Sequence, residues 1–223
     1  MTAHPLDCPA RAALTGPHAP LAQSHGAALR YDPGLIPFAA IDPDHPEHLS
    51  ALAAPGEPAV FLQTERVQTL PGFSETLRAE AVQLISHRLP SAPDDPRILP
   101  LGPDDAADML ALAEATKPGP FTLRALELGP FWGVRHEGQL IAMAGTRMAA
   151  PGFTEVSGVC TAPEARGQGL ARALSAHAAC AIAATGAIPF LHAFATNAAA
   201  ISLYQSLGFA IRAEFSVAVF TRT

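Results

Sequence analysis

Lysine is almost missing from this chain. Of 14 basic residues only Lys117 is not an arginine, and 20 acidic residues bring the net charge to −6. No basic footprint exists for nucleic acid or anionic headgroups, so neither partner is expected. Cysteine is scarce as well. Cys8, Cys160 and Cys180 stand far apart with no C-x-x-C, which argues against a disulfide framework and for reduced thiols in a cytoplasmic protein. No apolar run reaches the length of a membrane span. The opening Met1-Thr2-Ala3-His4-Pro5-Leu6-Asp7 has neither a basic region nor an apolar core, so secretion is not expected.

What is present is a hydrophobic share of 49% over 223 residues, enough for one good core or two small ones. A proline-rich stretch at residues 89–96 cannot continue a helix and reads as a linker. It suggests an N-terminal α/β unit of unassigned role at residues 1–92 and a second domain at 93–223. In the first unit, residues 59–63 read as a strand and 74–87 as a helix. After the linker come a short strand at 97–101, a helix at about 103–115 and a second helix at 121–128. A hairpin then turns at Glu137-Gly138. A strand at 155–161, a helix, a strand at 188–195, a further helix and a closing strand pair at 209–221 complete a mixed α/β pattern.

The most informative stretch is Arg166-Gly167-Gln168-Gly169-Leu170-Ala171, which joins the strand at 155–161 to a helix carrying Leu170, Leu174, Ala178 and Ile182. Glycines at a helix start clear the space in front of its unpaired N–H groups. Those groups and the helix dipole attract an anion, and Arg166 adds a fork suited to phosphate. A diphosphate is the expected guest. The spacing fits neither G-x-G-x-x-G nor G-x-x-x-x-G-K-[ST]. Downstream, Asn197 caps an alanine-rich helix that runs through Ala200, Leu203 and Tyr204 to a stop at Gly208-Phe209.

Together these two motifs resemble the GNAT superfamily of acyl-CoA-dependent N-acetyltransferases. The R/Q-x-x-G-x-G/A signature is met by Arg166, Gly169 and Ala171. The second element is met by Asn197, Ala200, Leu203, Tyr204, Gly208 and Phe209. V-C-T-A-P-E-A-R-G looks most like the glycine-N-acyltransferase-like branch. The resemblance spans roughly residues 97–223. It implies a GNAT fold: a mixed, mostly antiparallel sheet splayed between its fourth and fifth strands, flanked by helices, with acetyl-CoA as cosubstrate wedged in the fork. It also implies that the main chain of Val159, Cys160 and Thr161 pairs with the pantetheine arm. Arg166, Gly167, Gln168, Gly169, Leu170 and Ala171 would hold the diphosphate, and Asn197, Ala200 and Tyr204 would line the far wall.

Amide formation from a thioester needs a neutral amine, an oxyanion site and a proton for the leaving sulfur. The resemblance gives the last role to Tyr204. Glu155, eleven residues before Arg166, is the first candidate base, or equally a charged residue at a solvated strand end; His192 is the alternative, although a lone histidine on an apolar strand is more often a hydrogen-bonded core residue. The oxyanion is expected to meet a backbone N–H near Gly158 to Cys160. Cys160 reads as a small buried strand residue, since no activating base is visible. Residues 116–122, with Phe121, Phe131 and Trp132, are candidates for the acceptor wall. Asp42, Asp44, His45, Glu47 and His48 have ligand chemistry, but the interleaved Pro43 and Pro46 favour a solvated loop, so no metal is expected. The expected protein is an N-acetyltransferase moving an acetyl group from acetyl-CoA to a primary amine in a ternary complex. Alternatives are a non-catalytic acyl-CoA-binding regulatory module, or the same chemistry with another acyl group or glycine. A homodimer is left open.

Overall fold

The computed structural model describes residues 4–223. Met1, Thr2 and Ala3, part of the opening used above against secretion, lie outside the described residues. The first third holds α1 (Pro9–Leu14) and the short strands β1 (Ala22–His25), β2 (Ala28–Tyr31) and β3 (Ala39–Ala40). Two further strands follow, β4 (Pro58–Gln63) and β5 (Phe73–Ser86). Next come β6 (Leu99–Leu101), α2 (Ala106–Thr116), β7 (Phe131–His136), β8 (Gln139–Ala150) and β9 (Phe153–Thr161). The chain closes with α3 (Leu170–Ala184), β10 (Ile188–Phe194), α4 (Ala198–Ser206) and β11 (Phe209–Arg222).

Strands β1 to β3 form a small sheet. The other eight form one sheet in the order β4-β11-β5-β10-β9-β8-β7-β6. Every neighbouring pair in it is antiparallel except β9 and β10. The mixed, mostly antiparallel sheet with flanking helices is the fold class expected from the sequence. β9 and β10 pair only over Ile188↔Phe153, Pro189↔Thr154 and Phe190↔Glu155, then part. The rest of β9 therefore presents main chain to a fork rather than to a neighbouring strand.

Alternation along the strands sends side chains to two faces. Met109 and Leu112 of α2 and Leu170 and Leu174 of α3 share one buried cluster with Phe131, Val134 and Ala142. Val82 and Leu84 of β5 join a second cluster with residues of α3 and Tyr204. Ala81, one residue away, joins Val60, Leu62, Phe215 and Val217 under α1 and the β2 segment. Among the described residues no helix is long and apolar enough to cross a membrane.

Three local expectations are corrected. Residues 74–87 form a strand rather than a helix: their Glu, Leu, Arg and Ala favour helix locally, but β5 pairs with both β11 and β10, and that tertiary pairing prevails. Residues 121–128 hold only a 3-10 turn at Ala125–Glu127. The closing pair at 209–221 is one 14-residue strand with register shifts at Ile211/Ala213 and Val219/Phe220. One consequence reaches further. β5 lies before the linker yet sits between β10 and β11, so the sheet runs through the boundary drawn at residue 92.

Candidate active site

The start of α3 is open. Gly167 and Gly169 have φ of 79° and 76°, the left-handed region where glycine is at ease, and a Cβ on either would meet nothing within 4 Å. No side chain caps the helix. Its first intrahelical bond runs from the Ala173 N–H to the Gly169 carbonyl, so the N–H groups of the first turn are available to a ligand. Arg166 and Arg172 flank this turn in the wall of a cavity of about 650 Å³. Lys117 is the third cation there and no carboxylate among the described residues lines it, which suits a diphosphate.

The opposite wall is β9. Gly158 and Val159 stand together opposite Ala144, because the register passes from Met143↔Cys160 to Gly145↔Ser157. This bulge requires the φ of 63° at Gly158, where a Cβ would lie 2.7 Å from the Phe131 ring. It turns the main chain of Val159 out of the β8 ladder beside the fork. Val159, Cys160 and Thr161 all line the cavity, as do Arg166, Gly167, Gly169, Leu170, Ala171, Asn197, Ala200 and Tyr204. Of the expected cofactor residues Gln168 alone is not in this wall; its side chain is exposed. Cys160 is buried, and desolvation pushes its thiol up to about 11, as a structural strand cysteine requires.

A second cavity, about 200 Å³, opens on the other side of the fork. Lys117, Pro118, Val159, Asn197, Ala200 and Tyr204 line both cavities and so form the partition between them. Tyr204 is 8% exposed, its phenol pushed up to about 12 by burial and by the neighbouring Cys160. It remains a protonated donor throughout the neutral range. Its hydroxyl has no hydrogen-bond partner among the described residues, while the ring packs edge-on against Phe209 at 6.3 Å. Asn197 caps α4 by accepting from the Ala200 N–H at 3.1 Å, which fixes the side chain at the partition.

Glu155 lines neither cavity. It is fully buried at the last β9–β10 pair. Arg147 grips both its oxygens, Nε to Oε2 at 2.8 Å and Nη2 to Oε1 at 2.7 Å. His192 Nδ1 lies 2.8 Å from the same Oε1. Burial pushes this carboxyl up, but the Arg147 charge and hydrogen bonds and the His192 hydrogen bond outweigh it and hold the group at about 2. A carboxylate so occupied does not meet an amine directly, and as a base it would have to act through water or a neighbouring side chain.

His192 does line the second cavity. Its Nε2 is 3.0 Å from Gln83 Nε2, which also donates to the Leu6 carbonyl at 3.1 Å. Gln83 Oε1 accepts from Arg212 Nε, so the Gln83 amide nitrogen must donate and His192 Nε2 accept. The ring proton is then on Nδ1, facing Glu155. Burial lowers the His192 pKa despite the opposing Glu155 contribution, so the ring is neutral.

The remaining wall of this cavity was hidden in sequence. Phe38, Val60, Leu62, Ala81 and Val217 come from four segments that only the fold assembles, and Lys117, Pro118, Gly119 and Pro120 cover them. The covering turn lies within residues 116–122. Phe121 and Phe131 instead stack edge to face at 5.6 Å beside a cavity of only about 10 Å³, and Trp132 packs on His177. In the surface loop, ligand atoms of His45, Glu47 and His48 lie within 4.8 Å of one another. His48 Nδ1 accepts from the Ala27 N–H at 3.1 Å, so the neutral ring is protonated at Nε2 and offers no free lone pair to a metal there.

Comparison with known proteins agrees with this geometry. Residues 131–217 match the family described as FR47-like protein. No curated protein matches the chain. A crystal structure of a GNAT-family protein from Novosphingobium aromaticivorans is 41% identical, covers 99% of this chain and 100% of its own, and superposes with a TM-score of 0.94. GCN5-related proteins share the fold at lower identity. The N-acetyltransferase from Kribbella flavida is 20% identical with a TM-score of 0.57, over 91% of this chain and 89% of its own. A GCN5-related N-acetyltransferase-like protein from Streptococcus suis is 16% identical with a TM-score of 0.55, over 88% and 81%. Full-length likeness at 41% identity, joined to the forked sheet and the open helix start, shows that the chain belongs to the GNAT family of N-acetyltransferases.

Proposed function

We propose that the protein transfers an acetyl group from acetyl-CoA to a primary amine in a ternary complex. The observation that carries this reading is the partition: Tyr204 stands between a cation-lined cleft and a separate apolar cavity. A binding module for acyl-CoA has use for the first cavity only. Acetyl-CoA, when bound, supplies the electrophilic acyl carbon. The first-turn N–H groups of α3, with Arg166 and Arg172, hold its diphosphate. The main chain at the Gly158–Val159 bulge takes the pantetheine amides and donates to the developing oxyanion. Tyr204 donates a hydrogen bond to the departing sulfur. With its phenol near 12 and an ordinary thiol near ~8.5, complete proton transfer is uphill, so hydrogen bonding is its role.

Glu155 acts as a positioning residue that holds Arg147 and the neutral His192 in the acceptor wall. Its carboxylate is not free to take a proton. The amine therefore reacts from its neutral form, about one molecule in a thousand for an alkylamine of pKa ~10.4 at neutral pH. The three free cysteines fit a reducing compartment such as the cytoplasm. Residues 1–92 contribute the floor of the acceptor cavity through Phe38, Val60, Leu62 and Ala81.

Tyr204→Phe tests this. Ring packing is kept, so the KM for acetyl-CoA should hold while kcat falls on the order of 10²-fold. Wild-type activity should climb with pH as the amine deprotonates, with no falling limb from Tyr204 below its pKa of about 12. Unchanged turnover in the variant removes Tyr204 from the mechanism.

A further inference from the structure

We infer that the acceptor is an amino acid with a large apolar side chain, bound through its α-carboxylate, which rests on the N-acetyltransferase reading above. The second cavity contains no carboxylate to receive an ammonium group. The charged side chains in its wall are Arg147 and Lys117, both cations. Arg147 is only partly spent. Glu155 occupies Nε and Nη2, while Nη1 has no partner among the described residues. The guanidinium is fixed in place by that ion pair and by the Phe38 ring, whose centre lies 4.6 Å from its carbon. A rigid guanidinium with one free edge in an apolar pocket recognises an anionic oxygen, and Lys117 at the rim adds to the attraction. A diamine would leave its second ammonium beside these cations with no carboxylate in the wall to receive it. The remaining lining, Phe38, Val60, Leu62, Ala81 and Val217, rewards an apolar side chain and leaves glycine without contacts. With the carboxylate on Arg147, the amine is the other polar end of the ligand, and Tyr204, Val159 and the cofactor cleft are the polar way out.

The test compares phenylalanine with phenylalaninol, which keeps the amine and ring but replaces the carboxylate, alongside glycine and putrescine. Acetyl-CoA is saturating and free thiol is followed. Phenylalanine should exceed the other three in kcat/KM by at least about tenfold. Equal or better use of phenylalaninol or putrescine overturns the carboxylate, and equal use of glycine overturns the apolar side chain. Lys117→Gly removes the rim cation at a residue whose φ of 51° suits glycine, so folding is not at risk. It should raise the KM for phenylalanine several-fold more than that for phenylalaninol, since any effect on the cofactor cleft is common to both; equal effects on both also overturn the assignment. Calorimetry with N-acetylphenylalanine and N-acetylphenylalaninol, each with CoA present, reads the same preference without turnover. If CoA binds and the carboxylated product does not bind more tightly, the acceptor class is wrong while the cofactor site stands. If CoA itself fails to bind, the transferase reading falls, and binding of N-acetylphenylalanine alone then decides the pocket.

Discussion

Gly169 shows how much one missing side chain can carry. Its φ of 76° and the open space around its Cβ position make room in front of the first turn of α3. Gly169→Asp would put a negative charge against a bound diphosphate. Backbone strain should lower the melting temperature slightly, since aspartate tolerates the left-handed region. CoA affinity should drop by more than tenfold in a calorimetric titration, and undiminished affinity would remove the diphosphate from this helix. At Glu155 the consequence is for stability. The carboxyl is held at about 2 against an ordinary 4.5, so its stabilising contribution is present above 4.5 and is lost as the pH falls from 4.5 towards 2. Glu155→Gln leaves Arg147 without its counter-charge. It should be less stable than wild type at neutral pH by about 3 kcal/mol, and the two melting curves should converge near pH 2. Parallel curves across that range would show that Glu155 does not supply the acid sensitivity.

At the scale of elements, the β9 bulge makes the fork usable. The extra residue sets Gly158 and Val159 together opposite Ala144, with Val159 in the walls of both cavities. Gly158→Ala puts a methyl 2.7 Å from the Phe131 ring at a φ of 63°, so either the bulge shifts or the ring moves. The variant should lose about 1–3 kcal/mol in denaturant unfolding and lose activity beyond that loss of folded protein. Native-like kinetics would mean that the bulge is dispensable. β5 teaches the complementary lesson. Its composition favours a helix, but β11 pairs with it along thirteen residues from Phe209↔Ser86 to Arg222↔Phe73. Long-range ladders of that extent outweigh propensities of a few tenths of a kcal/mol per residue.

For the whole molecule the linker at residues 89–96 is a poor place to cut. A chain beginning at Ser91 would lack β4 and β5, leaving β10 and β11 without the strand that joins them. It would also expose Leu191 and Phe215, both buried in the intact protein. Such a truncation should fail to give a cooperative thermal transition or to bind CoA. A folded fragment with CoA affinity would mean that the sheet does not need its central strand and that residues 93–223 are a domain in their own right.

The open helix start and the cavity beside it were legible in the sequence because their parts are local. Arg166 to Ala171 form one strand-to-helix turn, Asn197 to Tyr204 one capped helix, and short-range geometry dictates how each presents its groups. The hairpin at Glu137-Gly138 and the cap at Asn197 were legible for the same reason. The second cavity was not, since Phe38, Val60, Ala81, Arg147 and Val217 are neighbours only through the fold. Nor could the sequence decide between a free and an occupied Glu155. A lone carboxylate on a strand looks the same whether solvent or an arginine meets it, and the partners, Arg147 on β8 and His192 on β10, are brought to it by pairing on its two sides. Local chemistry is written in consecutive residues, whereas the ionisation and contacts of a buried group depend on what the sheet places beside it.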